Sequence, residues 1–318
     1  PGYETFGSST EALIRSTDRL CTTPGQETLS LAKEAFTVTA KAWASIELIR
    51  FGPVSENNRF ERILFYPDRK STGLKQVQRI LAKQDESAVD IDRLTGKSVA
   101  VQGLGALEFL LFGTGSEALV SGDRFRCNYA KTISRNLAEI AGELSNGWAD
   151  NGPSTIIWTG PGPENPVLRT PREAVNELLG TLVHGLESIR DIRISAFLRA
   201  EASKDRPRVA IFRRSENTMN MISNNIGAVR RLLLESGAET LLEPEDRPVF
   251  SNVIFELENA ERVAGMIPEP VGETIKDPEQ RNRLSYLRTS IGFAIEMLDQ
   301  DFAKAAGLSS GFSFSDGD

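Results

Sequence analysis

Apolar residues recur at three- and four-residue steps along most of the chain, the spacing of helices that bury one stripe. Leu29, Ala32, Phe36, Ala40, Trp43, Ile46 and Leu48 predict a helix that stops at Gly52-Pro53. Leu74, Val77, Ile80 and Leu81 predict a second, with Ser71-Thr72 as its cap. Tyr129, Ile133, Leu137, Ile140 and Leu144 place a long amphipathic helix between about 123 and 148. Between 151 and 170 the pattern breaks. Gly152, Pro153, Gly160, Pro161, Gly162, Pro163 and Pro166 crowd this stretch, which is therefore the expected domain boundary. Pro171 then opens a helix carrying Val175, Leu178, Leu182, Leu186 and Ile189 to about Arg199. Three more helical segments follow, near 216–235, 246–266 and 278–306, the last ending at Gly307. Only Thr155–Thr159 and Arg208–Phe212 are short and β-branched enough to read as strands. The expectation is an all-α protein of two helical bundles, residues 1–160 and 161–318.

The run from Val99 to Gly113 departs from this one-sided pattern. It is apolar nearly all round and holds a single carboxylate, Glu108. Such a helix is buried, and an ionised carboxylate within it must be neutralised, paired or engaged with a ligand. Gly103 and Gly105 remove bulk before that carboxylate, so a ligand or another backbone can come close. Two readings stand side by side. In one, Glu108 pairs with an arginine of a neighbouring helix; in the other it lines a polar cleft or binds a metal ion.

The same residues carry a family resemblance. Gly103-Leu104-Gly105-Ala106-Leu107-Glu108 resembles the GxHxxE motif of the imelysin family, envelope proteins once grouped as insulin-cleaving metallopeptidases, with Gly105 at the histidine position. Ala42-Trp43 leading to Arg50-Phe51-Gly52-Pro53, the segment Arg62–Asp68, and the ending Gly311–Asp318 are similar to further landmarks of that family. The resemblance implies two pseudo-related four-helix bundles. Gly105-Ala106-Leu107-Glu108 and Phe293-Ala294-Ile295-Glu296 then read as a faint internal echo. It also implies a periplasmic or lipid-anchored location and a link to iron uptake. The chain starts at Pro1 rather than Met, so an upstream segment is expected to have been removed. In an exported protein Cys21 and Cys127 are expected to form a disulfide; in a cytosolic one they would be two buried thiols.

Charge and composition narrow the function. A net charge of −7 argues against a nucleic-acid partner. The longest apolar run is too short to span a bilayer. A catalytic zinc needs about three protein ligands, usually rich in histidine. This chain has one histidine, His184, and no HExxH, GxSxG or P-loop.

Oxygen donors alone can hold a hard cation such as iron or calcium, and Glu108 is the candidate ligand. Glu47, one turn beyond Trp43, and Asp68 are the other acids near the landmarks, with Arg50 placed to pair with Glu47. In Arg213-Arg214-Ser215-Glu216-Asn217, Ser215 or Asn217 can cap the next helix. Alternatively, Arg214 and that helix start attract an anion.

The expected function is a non-catalytic envelope binding protein with a cleft near the junction of the bundles. Gly103, Gly105, Glu108, Trp43, Glu47, Asp68 and Arg214 are its candidate residues. It would take a small ligand, iron or another hard cation, or an envelope protein partner. A metallopeptidase and a scaffold without a small ligand are the alternatives.

Overall fold

The computed structural model describes residues 1–309; the Gly311–Asp318 landmark lies outside the described residues. Within them the chain is helical and contains no strand. It divides into two compact units. The first comprises Pro1–Trp43 and Arg50–Ala149, and the second Ala44–Ile49 and the described residues from Asp150 onward.

In the first unit α1 (Gly2–Thr22) packs along α7 (Arg124–Gly147), joined by α2 (Gln26–Ala44), α3 (Arg59–Ile63), α4 (Thr72–Lys83), α5 (Ile91–Thr95) and α6 (Leu104–Phe112). Tyr3 stacks on Trp148 at one end, and Cys21 is bonded to Cys127 at the other, so α1 and α7 run antiparallel. That disulfide closes a separation of 106 residues with its Cα atoms 5.6 Å apart. In the chain-entropy picture, such a closure stabilises by about 4–5 kcal/mol. The apolar stripe expected on α7, from Tyr129 to Leu144, is buried throughout. Asp123 starts that helix by accepting a hydrogen bond from the Arg126 amide.

The second unit holds α8 (Pro153–Thr159), α9 (Pro171–Glu187), α10 (Ser195–Phe197), α11 (Thr218–Glu235), α12 (Arg247–Met266), α13 (Val271–Thr274), α14 (Pro278–Glu296) and α15 (Ala303–Ala305). Its core is continuous across the long helices, with Leu186, Ile194, Phe197, Ile226, Val253, Leu257, Leu287 and Ile291 all buried. Asn259 donates to the Tyr286 hydroxyl, and the Ser290 hydroxyl bonds Glu256, so α12 and α14 are antiparallel. Thr170 and Asp277 cap α9 and α14, each followed by proline at the first helical turn.

Several expectations are corrected. Thr155–Thr159 is helical and Pro207–Val209 is a 3₁₀ turn, so neither β-branched stretch pairs as a strand. Pro153 starts α8 inside the Pro/Gly-rich break. The helix through Trp43 ends at Ala44, well before Gly52-Pro53. The helix from Pro171 does not continue regularly to Arg199: it passes into a π-helical segment, Ser188–Ile194. α14 likewise passes into a π segment, Met297–Phe302, before the chain turns at Gly307, whose φ is +63°. The echo between Glu108 and Glu296 does not extend to environment, because Glu108 is buried and Glu296 exposed.

Candidate functional site

The apolar run around Glu108 is two elements rather than one helix. Val99–Val101 forms a 3₁₀ turn, the chain breaks at Gln102-Gly103, and α6 starts at Leu104. Gly103 makes that break possible. A Cβ there would lie 2.3 Å from the Arg62 carbonyl oxygen and 2.4 Å from that of Ile63, so only glycine admits this backbone approach. Gly105 is different. It is exposed, and a Cβ would meet only the Phe65 carbonyl oxygen, at 4.0 Å. The position that carries histidine in the family motif thus has room for a side chain and lacks one. One turn on, Glu108 is 4% exposed, between the fully buried Leu104, Leu107, Leu110 and Leu111.

Polar groups fix α6 at both ends. Before it, the Arg62 Nε donates to Gln102 Oε1 at 2.9 Å, and Nη2 donates to Asn136 Oδ1 at 2.8 Å. Asn136 Nδ2 in turn donates to the Gln102 carbonyl, and Gln102 Nε2 to that of Lys97. Gln102 and Asn136 are fully buried, and this closed network satisfies polar groups that would otherwise be costly. At the other end, Arg126 donates to the carbonyls of Phe109, Leu110 and Thr114. A cation there complements the negative helix terminus, although burial lowers the affinity of this guanidinium for its proton. Glu108 therefore sits on a short helix with little freedom to shift.

The other sequence candidates scatter. Trp43 is a core residue of the first unit, its ring 5.5 Å from both Phe6 and Phe60, and its Nε1 is buried without a hydrogen-bond partner. Asp68 accepts hydrogen bonds from the Thr72 and Leu74 amides and so supplies the cap of α4 expected from Ser71, whose own side chain makes no cap bond. Arg50 lies over the Phe60 ring, 4.5 Å from its centroid. Glu47 belongs to the second unit and is paired there with Arg193, each about 5% exposed. Asn225 Nδ2 bridges Glu47 Oε2 at 3.1 Å and the Ala44 carbonyl at 2.8 Å.

Arg214 lies in the turn before α11, where the N-cap residue Asn217 makes no cap bond by its side chain and the Ser215 hydroxyl donates to the Phe212 carbonyl. The anion at this helix start comes from the protein itself. Glu269 accepts from the Met219 amide at 2.6 Å and from the Val271 amide at 2.9 Å. Burial raises its carboxyl above the usual range, and these two bonds oppose the rise.

Sequence reasoning missed Arg62, Gln102, Asn136, Arg193 and Asn225. Three of them left a signal. Gln102 interrupts an apolar run, Asn136 falls beside the buried stripe of α7, and Arg193 sits among Ile189, Ile194 and Phe197.

A sequence model of the imelysin family, which carries a peptidase designation, matches residues 1–292. Among solved structures, an imelysin-like protein from Psychrobacter arcticum 273-4 superposes with a TM-score of 0.81 at 17% identity, covering 98% of this chain and 92% of the other. A protein assigned as an iron-regulated protein A precursor, from Parabacteroides distasonis ATCC 8503, gives a TM-score of 0.72 at 13% identity, covering 95% and 91%. No curated protein matches the sequence.

The peptidase designation raises the question of a resident zinc, and the residues present do not fit one. Glycine occupies the motif's histidine position, and the chain's one histidine is on α9. Among the described residues no three His, Cys, Asp or Glu side chains group so as to hold a metal ion, so Glu108 has no second and third ligand beside it. No described helix is long and apolar enough to cross a membrane.

Proposed function

This chain belongs to the imelysin family, and from that premise we propose that it is a non-catalytic binding protein of the cell envelope that serves iron uptake. Its ligand contacts the start of α6, at Gly105 and Glu108. The observation that carries this reading is one buried carboxylate a single turn below an exposed, side-chain-free notch, on a helix clamped at both ends. A clamped helix costs little further ordering when a ligand arrives, which favours recognition. The donor set favours an iron complex that brings its own ligands over a bare ion, because Glu108 alone cannot complete a coordination shell. The iron connection rests on the name of the Parabacteroides distasonis relative, and the word precursor in that name supports export.

The test uses protein purified without an affinity tag. Ferric citrate is titrated calorimetrically, and casein hydrolysis is followed with and without added zinc. The reading predicts saturable binding of the iron complex and no hydrolysis under either condition. Zinc-dependent, chelator-sensitive hydrolysis that disappears in Glu108→Gln would falsify it in favour of a metallopeptidase. Absence of both binding and hydrolysis would leave the scaffold reading in its place.

A further inference from the structure

A second site lies wholly within the second unit. Beside the π segment Ser188–Ile194 an open cleft of about 400 Å³ runs along one face of α14, within the size range of small-ligand sites. The π geometry builds its wall. Both the amide and the hydroxyl of Ser195 donate to the carbonyl of Arg190, five residues back, which brings Arg190 and Ser195 to the same side of the chain. A regular α-helix would set residues five apart on different faces, and such widened turns recur at functional positions. The widening also separates two arginines three residues apart: Arg193 turns inward to Glu47, while Arg190 lines the cleft.

The floor is a notch at Gly292. A Cβ added there meets nothing within 4 Å, although a glycine inside a helix costs stability relative to alanine. One turn before it stands Arg288, whose Nη1 makes a long 3.3 Å bond to the Leu198 carbonyl. One turn after it stands the exposed Glu296. Arg190 is forked onto Asp191 through two bonds, of 2.9 and 2.7 Å. The cleft therefore presents two guanidiniums and two carboxylates, so donors and acceptors are balanced and no net charge selects an anion or a cation. At its rim Phe293 leaves half its ring in water.

Balanced planar donors and acceptors around a shallow notch, with an exposed aromatic edge, match the chemistry of a sugar. Each hydroxyl both donates and accepts, and one face of the ring is lined by C–H groups that pack on an aromatic. We propose that this cleft is a saccharide-binding site, sized for a disaccharide, with Gly292 admitting the ring, Phe293 packing on it, and Arg190, Asp191, Arg288 and Glu296 reading its hydroxyls. This site is independent of the Glu108 reading.

The test is saturation-transfer NMR and calorimetry on the full chain with maltose, diacetylchitobiose and, as an anion control, citrate. One of the disaccharides binds wild type. Gly292→Leu, which fills the notch and replaces a helical glycine, weakens it by at least about tenfold with no loss of melting temperature. Phe293→Ala, at an exposed position, weakens it by roughly three- to tenfold. The proposal is overturned if neither disaccharide binds, if Gly292→Leu and Phe293→Ala both bind as wild type does, or if citrate alone binds and Gly292→Leu abolishes it.

Discussion

Replacing Arg193 by methionine strands the Glu47 carboxylate in the second unit. The side chains of this pair are 5% and 6% exposed, and Asn225 also donates a hydrogen bond to the carboxylate. Breaking a buried pair from one side costs about 3–5 kcal/mol, because the remaining charge keeps its desolvation penalty and loses its compensation. Arg193→Met and Glu47→Met should each fall in that range. The double variant removes both charges and fills the space with apolar volume, so it should lie within about 1–2 kcal/mol of wild type. The coupling between the two sites should then exceed about 2 kcal/mol, whereas an exposed ion pair gives under about 1 kcal/mol. Urea unfolding followed by circular dichroism measures all four proteins. Hydrogen exchange of peptides covering 188–194 and 218–235 assigns the loss to the second unit. If the double variant is as unstable as the sum of the singles, Glu47 and Arg193 do not stabilise each other and the argument from burial fails.

Two glycines in α6's approach should behave oppositely. Gly103→Ala drives a Cβ into the backbone of Arg62-Ile63 and should cost about 3 kcal/mol or more, while Gly105→Ala should be neutral or stabilising by up to about 1 kcal/mol; equal melting temperatures would refute the close approach. Asp85 is held at a pKa of about 2 by Lys97, whose Nζ donates to it at 2.9 Å, and by Ser87. Its contribution to stability is therefore complete above the unfolded value of about 3.9 and is lost as pH falls through about 2, and Asp85→Asn should flatten the pH dependence of stability over that interval. An unchanged acid limb in Asp85→Asn would count against this assignment.

The helices were legible because each buries a stripe, and the 3.6-residue period marks that stripe whatever the tertiary partner. α7 and α12 fall close to their expected bounds for this reason. Periodicity fails where a change of direction does not alter the helical spacing of apolar residues. The turn at Gln102-Gly103 lies inside an apolar run, and only the passing backbone of Arg62-Ile63 reveals why glycine is needed there. The π segments are equally silent, since one widened turn shifts a helical pattern without breaking it. Long-range partners are beyond any local reading. Glu47 lies three residues from Arg50 yet pairs with Arg193, and the start of α11 is held by Glu269, fifty residues on. Glu108 was legible as a buried carboxylate because a lone acid in an apolar helix is conspicuous; Trp43 and Asp68 drew attention as family landmarks, yet one packs a core and the other caps a helix.

Glu108→Gln, carried through a thermal melt and a ferric citrate titration on the same preparation, tests the proposed site most directly. If Glu108 serves a ligand, the amide should keep the melting temperature within about 2–4 °C of wild type, a change of about 1 kcal/mol, while binding of the iron complex is lost. If Glu108 is a structural ion, the same substitution should destabilise the protein by about 3–5 kcal/mol and leave binding by the folded fraction intact, and that outcome would contradict the account.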